Sequence, residues 1–345
     1  MTYKERLNSL VELGKILTPE NEALQTIVRK TALHNSWFTE ANQWKAITEI
    51  RNAFLQKDTL DAWLKPYFLE NIGANTEGPL SKTVALILAG NIPLVGFHDI
   101  ICVFVTGHKS LIKLSDKDPF FIPFLIAQLA KLNVPTAQYF AISESRMKDF
   151  DAVIATGSNN SARYFDAYFG KYPNIIRKNR NAVGILRGDE TTEDLAKMGN
   201  DVFTYFGLGC RNVSKIYVPK DYNFHPLLEA LHEFNALVLH DKFKNNFDYQ
   251  FTLTILNKVQ HQANGCIIMV ENKAITSPIA MLFYEFYDNF EQLSKDLLDR
   301  KEEIQCVVSK NRIDGLPCFD FGEAQKPALN DYADGEDTIQ FLLGL

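Results

Sequence analysis

The sequence contains no C-x-x-C pair, and its five cysteines (Cys102, Cys210, Cys266, Cys306 and Cys318) are odd in number and widely spaced. A zinc ribbon, a dithiol redox pair and a disulfide framework are all disfavoured by that spacing. No apolar run approaches the ~18 residues that a membrane span requires. The N-terminal stretch "MTYKERLNSLVELGK" mixes charged and apolar residues from its start, unlike a secretory leader. A cytoplasmic chain without a membrane span is therefore expected. Positive charge is not in excess: 36 Lys and Arg against 42 Asp and Glu leave a net charge of −6, so no footprint for nucleic acid is visible. The seven histidines form no metal-ligand pattern. His98 and His108 flank a helix-like stretch and read as structural, while His225 and His232 read as a solvated helix face. No metal is expected, and no internal repeat or low-complexity segment appears.

What is present is an ordinary globular mixture, 345 residues with 46% hydrophobic and 23% charged, long enough for about two domains. Residues 1 to about 70 carry apolar residues at intervals of three and four in "YKERLNSLVELGKIL", "ENEALQTIVRKTALHN" and "TEANQWKAITEIRNAFL", which predicts helices. Gly73, Gly78 and Pro79 break that run. From Thr83 the pattern changes. "TVALILAG" is a continuous apolar run, as a strand buried on both faces requires. A helix-like "LVGFHDIICVFVTG" and a strand-like "SLIKLS" (110–115) follow. Asp118-Pro119 predicts a helix start, and "QYFAIS" (138–143), "DAVIAT" (151–156) and "NAVGIL" (181–186) read as strands. Alternation of this kind predicts a parallel, doubly wound sheet with ligands at the carboxyl ends of its strands. Thr191 to Asp194 opens a further helix with a capping box. Beyond it the spacing predicts a second α/β region: strand 214–219, helices near 224–236 and 248–261, strands at 265–270 and 279–287, helix 290–303 and strand 304–309. The expected organisation is a helical segment over 1–80, one α/β domain over 81–188, a second over 189–324 and an ordered tail over 325–345.

Four cysteines sit in apolar company: "DIICVFV", "GCIIMV", "IQCVVS" and "LPCFDF". They read as small buried hydrophobes. Cys210 differs, lying between Gly209 and Arg211 in "TYFGLGCRNVSKIYVP". A packed core thiol and a nucleophile are both open readings of it. "GLGCRN" is not a dinucleotide fingerprint. Its sixth position is Asn212, and it follows a helix and precedes a strand, the reverse of the order that aims a helix N-terminus at a pyrophosphate. "DAVIATGSNNSARYF" runs from strand through a Gly-Ser turn into a helix, a plausible phosphate-side loop that is common in parallel sheets. In "LAGNIPLVG", Asn91 either offers its amide to an oxyanion or caps the following helix.

Taken in order from about Thr83 to the C-terminus, these stretches resemble the aldehyde dehydrogenase superfamily, specifically the acyl-CoA reductases of the LuxC type. "AGNIPL" resembles the oxyanion asparagine ahead of a proline, "VTGHKSLIKLSDKDP" the strand whose lysine contacts the cofactor ribose, "VIATGS" the glycine turn beside the cofactor, and "GLGCRNVSKIYVP" the nucleophile loop with its strand. The resemblance implies an aldehyde-dehydrogenase-like fold of two doubly wound α/β domains with an N-terminal helical segment. It implies Cys210 as nucleophile and Asn91 as oxyanion donor. For the cofactor it implies Lys113, Ser115, Asp116, Thr156, Gly157 and Ser158. The resemblance favours NADPH. An acidic Asp116 three residues after Lys113 argues mildly for NADH, so the cofactor is left as NAD(P)H. One departure is informative: "KYPNIIRKNRNAVGILRG" (171–188) contains no Asp or Glu. The oxidative enzymes of the superfamily carry a water-activating glutamate in that region.

The expected function is that of an oxidoreductase in which Cys210 takes an acyl group from a fatty acyl-CoA, releasing coenzyme A, and NAD(P)H reduces the thioester to an aldehyde. The alternatives are an NAD(P)-dependent aldehyde oxidiser and a non-reducing thiol acyl-carrier subunit. A homo-oligomer is expected, with acyl-transferring proteins as possible partners. Arg177, Lys178 and Arg180 read as a solvated basic run or as contacts to CoA phosphates.

Overall fold

The computed structural model describes residues 1–69, 81–144 and 146–345. The breaks expected at Gly73, Gly78 and Pro79 lie outside the described residues. The chain divides into two compact units, Met1–Lys178 with Pro327–Leu345, and Asn179–Lys326.

The first unit opens with helices α1 (Tyr3–Ile16), α2 (Glu22–His34), α3 (Glu40–Glu49) and α4 (Lys57–Leu64). The first three start where a side chain satisfies an orphan amide. Thr2 accepts from the Glu5 N–H and Glu5 returns the bond, Asn21 accepts from Leu24, and Thr39 accepts from Asn42. Their apolar stripes, including Leu10, Leu13, Leu17, Leu24, Val28 and Ile47, are buried in one core with the sheet that follows. That sheet comprises β1 (Thr83–Ile87), β2 (Lys109–Lys113), β3 (Phe140–Ile142), β4 (Ala152–Thr156) and β5 (Asn174–Arg177). Helices α5 (Phe97–Thr106), α6 (Phe121–Leu132) and α7 (Asn159–Phe169) connect them. The strand order is β3-β2-β1-β4-β5, all parallel. Val84, Ala85 and Leu86 of central β1 have no exposed surface, which is why its sequence shows no alternation. The chain lays down β1, β2 and β3 in one direction and then crosses back to β4. The reversal therefore falls between β1 and β4, where carboxyl ends diverge and ligands bind in open α/β sheets. The short strand β5 was not anticipated. "NIIR", between Pro173 and a basic run, is too brief to show a period.

The second unit contains β6 (Asn181–Ile185), α8 (Thr192–Phe203), β7 (Val213–Pro219), α9 (His225–His232), α10 (Asp241–Leu256), β8 (His261–Ala263), β9 (Ile268–Glu271), β10 (Met281–Tyr287), α11 (Phe290–Asp299), β11 (Ile304–Val308) and β12 (Cys318–Phe319). Its sheet order is β12-β11-β6-β7-β10-β9-β8, parallel except for the β8–β9 pair. The 181–186 strand, expected within the 81–188 stretch, is β6 of this sheet. All five of its residues are buried, flanked by β7 and β11. The helix expected over 248–261 starts at Asp241, because Phe243 and Phe247 already face the core and His240 caps it by accepting from the Phe243 N–H. The capping box of α8 forms as expected between Thr191 and Asp194.

The C-terminal stretch returns to the first unit, ending in α12 (Thr338–Leu343) with Ile339 and Leu342 buried. The two histidines read as structural hold it there. His98 Nε2 lies 2.9 Å from the Leu329 carbonyl and His108 Nε2 lies 3.0 Å from the Leu342 carbonyl. Among the described residues no helix is long and apolar enough to cross a membrane.

Candidate active site

The cofactor residues named from the sequence all lie in the first unit, at or just beyond the carboxyl ends of β2 and β4. Lys113 is the last residue of β2 and is exposed. Its carbonyl accepts from the Leu88 N–H at 3.1 Å, which ties the β1 exit to the β2 exit. Ser115 is half-buried, and a Cβ on Gly90 would come within 2.2 Å of its hydroxyl oxygen. Only glycine lets these two exit loops touch. Asp116 is exposed, and its carbonyl meets His34 Nε2 at 2.7 Å. Thr156 ends β4, and Ser158 caps α7 by accepting from the Ser161 N–H at 3.2 Å. Gly157 lies against the first turn of that helix, where a Cβ would meet Ser161 Cβ at 2.8 Å and the Phe165 ring at 2.9 Å. The result is a bare backbone turn feeding a helix N-terminus at the sheet's reversal point, a natural cradle for a pyrophosphate.

Asn91 is half-buried in the loop after β1. It does not cap α5, whose N-cap is Gly96 with no side-chain bond. That loop contains a strained residue, Leu94, at φ 59. The buried carboxylate of Asp118 accepts the Leu94 N–H at 3.3 Å. Asp118 was expected as the helix start, but the N-cap of α6 is Phe120 and Asp118 supports the Asn91 loop. Burial pushes the Asp118 carboxyl up to about 6, against the pull of the Leu94 and Phe121 amides.

Cys210 lies in the second unit and precedes β7, so it sits at the amino end of its strand. The approach to it is strained. Tyr205 and Phe206 are left-handed at φ 54 and 58, and Gly207 follows at φ 76. Each such non-glycine residue costs roughly 1–2 kcal/mol. Phe206 is fixed by the His240 and Phe243 rings, with centroids 4.5 and 5.9 Å away. Beyond the cysteine, the Arg211 guanidinium stands 5.1 Å from the Phe319 ring centroid. Cys210 is half-buried. Cys102, Cys266 and Cys306 are fully buried, and burial raises their thiols: Cys102 well above its ordinary value, Cys266 to about 11 and Cys306 to about 12. Cys318, the other half-buried thiol, is also raised by burial and lies against the Ile313 and Leu316 carbonyls.

The basic run at 177–180 is not a solvated face. Arg177 is buried and paired with Asp99 at 2.6 Å, with Thr338 Oγ1 at 3.1 Å, so it is not available to a CoA phosphate. Arg180 meets Glu302 at 3.2 Å, and Lys178 is exposed. At the other end of β7 from Cys210, an open cleft of about 530 Å³ is lined by Tyr217, Lys273, Glu285, Tyr287, Asp296 and Arg300. Its charges are matched locally, Glu285 with buried Lys215 and Arg300 with Glu303. Sequence reasoning missed two buried polar groups beside the Cys210 turn, Asp201 and Asn212. The only signal was Asn212 itself, visible as the residue that breaks the glycine fingerprint.

Comparison with known proteins agrees with this architecture. A family model described as acyl-CoA reductase (LuxC) matches residues 17–238. The chain belongs to the LuxC acyl-CoA reductase family. A long-chain acyl-protein thioester reductase of Aliivibrio fischeri is 24% identical over 190 residues, covering 50% of this chain and 39% of that protein's length. Among solved structures, aldehyde dehydrogenase 21 of Physcomitrella patens, in complex with succinate, aligns over 100% of this chain and 84% of its own at 13% identity and a TM-score of 0.70. An indole-3-acetaldehyde dehydrogenase of P. syringae, in complex with NAD+ and IAA, aligns over 90% and 72% at 14% identity and a TM-score of 0.65. The fold is that of the aldehyde dehydrogenases.

Proposed function

We propose that this protein reduces an acyl thioester to an aldehyde, with Cys210 as the acyl-accepting nucleophile and NAD(P)H as the reductant. The observation that carries the reading is the contrast among thiols. Cys102, Cys266 and Cys306 are fully buried and Cys318 lies against the Ile313 and Leu316 carbonyls, whereas Cys210 is half-buried in a turn that follows two left-handed residues ahead of β7. A thiolate is the attacking species, and an ordinary cysteine titrates near ~8.5, so a polar, partly open turn suits the role better than an apolar pocket.

In this reading the Cys210 sulfur attacks the thioester carbonyl, and the C–S bond to the donor thiol breaks, leaving an acyl-cysteine and a free CoA thiol. The first unit's crevice fits a dinucleotide: glycines at 90 and 157 leave bare backbone, and α7 presents its N-terminus. Lys113, Ser115, Asp116, Thr156, Gly157 and Ser158 would hold the cofactor there, and its reduced nicotinamide would supply a hydride. Asn91 donates its amide to the oxyanion that forms as the thioester is reduced. Residues 171–188 contain no carboxylate, so no water-activating base comes from that stretch. The acyl-cysteine then persists long enough to be reduced.

The donor is proposed as a fatty acyl-CoA. Because the A. fischeri relative is described as acting on an acyl-protein thioester, an acylated protein is tested beside it. The experiment follows absorbance of reduced nicotinamide with acyl-CoAs of varied chain length, with mass spectrometry of the protein in parallel. Acyl transfer to Cys210 together with loss of NADH or NADPH absorbance is expected. Acyl transfer without nicotinamide oxidation would identify a carrier subunit instead, and free acid from an aldehyde in the absence of CoA would identify an oxidiser.

A further inference from the structure

The residue that breaks the glycine fingerprint is fully committed. Asn212 is 1% exposed. Its side-chain nitrogen donates to the carbonyls of Asp201 at 2.9 Å, Val202 at 3.3 Å and Thr204 at 2.9 Å. These lie in the last turn of α8 and just past its end, where helical carbonyls lack partners of their own. Its side-chain oxygen accepts the Gly209 N–H at 2.7 Å, its own N–H donates to the Gly209 carbonyl at 3.1 Å, and its carbonyl accepts from Ala182 of β6 at 3.2 Å. Gly209 is therefore bonded through both of its peptide groups to one asparagine. Cys210 lies between them.

The helix end is anchored on its far side as well. Asp201 has no exposed surface, and its carboxylate accepts the N–H groups of Gly322 at 2.6 Å and Ala324 at 3.1 Å. The tension that this clamp opposes is visible in the two left-handed residues Tyr205 and Phe206 between the helix end and the turn. A plain glycine turn needs no such arrangement. The side chain reaches back across the 201–212 segment to fix the backbone on both sides of one thiol.

We propose that Asn212 is a positioning residue for Cys210: it locks the 201–212 backbone so that the thiol is presented to its acyl donor in one orientation. The inference rests on the reading of Cys210 as an acyl acceptor. An amide is suited to the role because it offers both donors to the helix-end carbonyls and an acceptor to Gly209. Aspartate keeps the acceptor and loses the donors, and alanine loses both.

The test compares Cys210 with Cys318, the other half-buried thiol, inside the same molecule. Wild type, Asn212→Asp and Asn212→Ala are labelled with iodoacetamide across a range of pH, and each peptide is quantified by mass spectrometry. Acyl transfer from acyl-CoA is followed on the same samples. A displaced thiol should acylate about ten- to a hundredfold more slowly, with a changed pH profile for Cys210 labelling and an unchanged one for Cys318. Unchanged labelling and acylation at Cys210 would overturn the proposal. So would parallel changes at Cys210 and Cys318, or failure of both variants to fold, since either shows a general structural clamp. If wild-type Cys210 takes no acyl group while its labelling still responds to Asn212 alone, the positioning role stands and the acyl-acceptor reading fails.

Discussion

The two units set their proposed functional positions by different means. In the first, Lys113, Asp116 and Ser158, proposed to meet the cofactor, are exposed residues carried out by strand ends beside the sheet's reversal between β1 and β4, while the Asn91 loop leans on the buried Asp118 carboxylate. In the second, Cys210 stands at the amino end of β7, where the sheet offers no such opening. Its turn is shaped by buried, fully bonded polar groups and two left-handed residues. A ligand crevice follows from topology, whereas a presented thiol needs dedicated side chains. Single changes at the first unit's proposed contact residues should therefore weaken binding by degrees, and changes at the thiol turn should act sharply.

The largest effect expected is from Cys210→Ala. It should abolish the acyl-protein adduct and nicotinamide oxidation together, while Cys306→Ala and Cys266→Ala leave both in place, since burial holds those thiols protonated. Intact-protein mass spectrometry after incubation with acyl-CoA decides it. An adduct that persists in the Cys210 variant moves the nucleophile elsewhere and removes the contrast between the units.

The first unit also has a sensitive point, though not at its crevice. Arg177→Met leaves the Asp99 carboxylate buried without its partner, and breaking a buried pair in this way costs about 3–5 kcal/mol. All three tryptophans, Trp37, Trp44 and Trp63, lie in the first unit, so urea unfolding followed by their fluorescence reads that unit. Adding Asp99→Leu to Arg177→Met should recover much of the loss. A single variant as stable as wild type would mean that the pair contributes nothing to the unit.

A smaller and more selective effect is expected from Asn91→Ala. An amide aimed at a developing oxyanion matters more in the transition state than in the ground state. Acylation of Cys210 should continue while reduction of the isolated acyl-enzyme slows about 10²–10³-fold. Single-turnover kinetics separate the two steps. An unchanged reduction rate leaves Asn91 as a loop residue, with its alternative as cap of α5 already removed by Gly96.

Much of this contrast was legible in the sequence, and unevenly so. β1 and β4 announced themselves as continuous apolar runs because both faces are covered, and the turns that follow them carry Asn91 and Gly157. The Cys210 turn was legible by exception, as the one thiol without apolar neighbours. What escaped were groups whose role depends on distant partners. Arg177 lies in a run of four residues with three basic side chains, and nothing local reveals Asp99, far earlier in the chain. Asn212 looked like a defect in a motif because its bonds to Asp201 and Thr204 form only when α8 ends beside the turn. β6 looked like the last strand of the first sheet, since a buried strand carries no mark of which neighbours it will have.

Asp118 gives the smallest effect and the finest test of how the first unit builds its loop. Its carboxylate accepts from left-handed Leu94 while buried, and its second oxygen, also buried, has no hydrogen-bond partner. Desolvation therefore outweighs the two amides and raises the carboxyl from an ordinary 3.8 to about 6. The sign follows from proton counting. Between about pH 4 and 6 the folded chain holds a proton there that the unfolded chain has released. This group's contribution to stability thus falls as pH rises through that window and is constant above it, by at most about 3 kcal/mol. With Asp118→Asn the position cannot titrate, and the amide oxygen of the new side chain still accepts from Leu94. The difference in unfolding free energy, variant minus wild type, should therefore climb in the variant's favour from pH 4 to 6 and then level off, as measured by tryptophan fluorescence in urea. A difference that stays flat over that range would show that Asp118 is charged throughout. The Asn91 loop would then be held by an ionised carboxylate whose burial the amides fully offset.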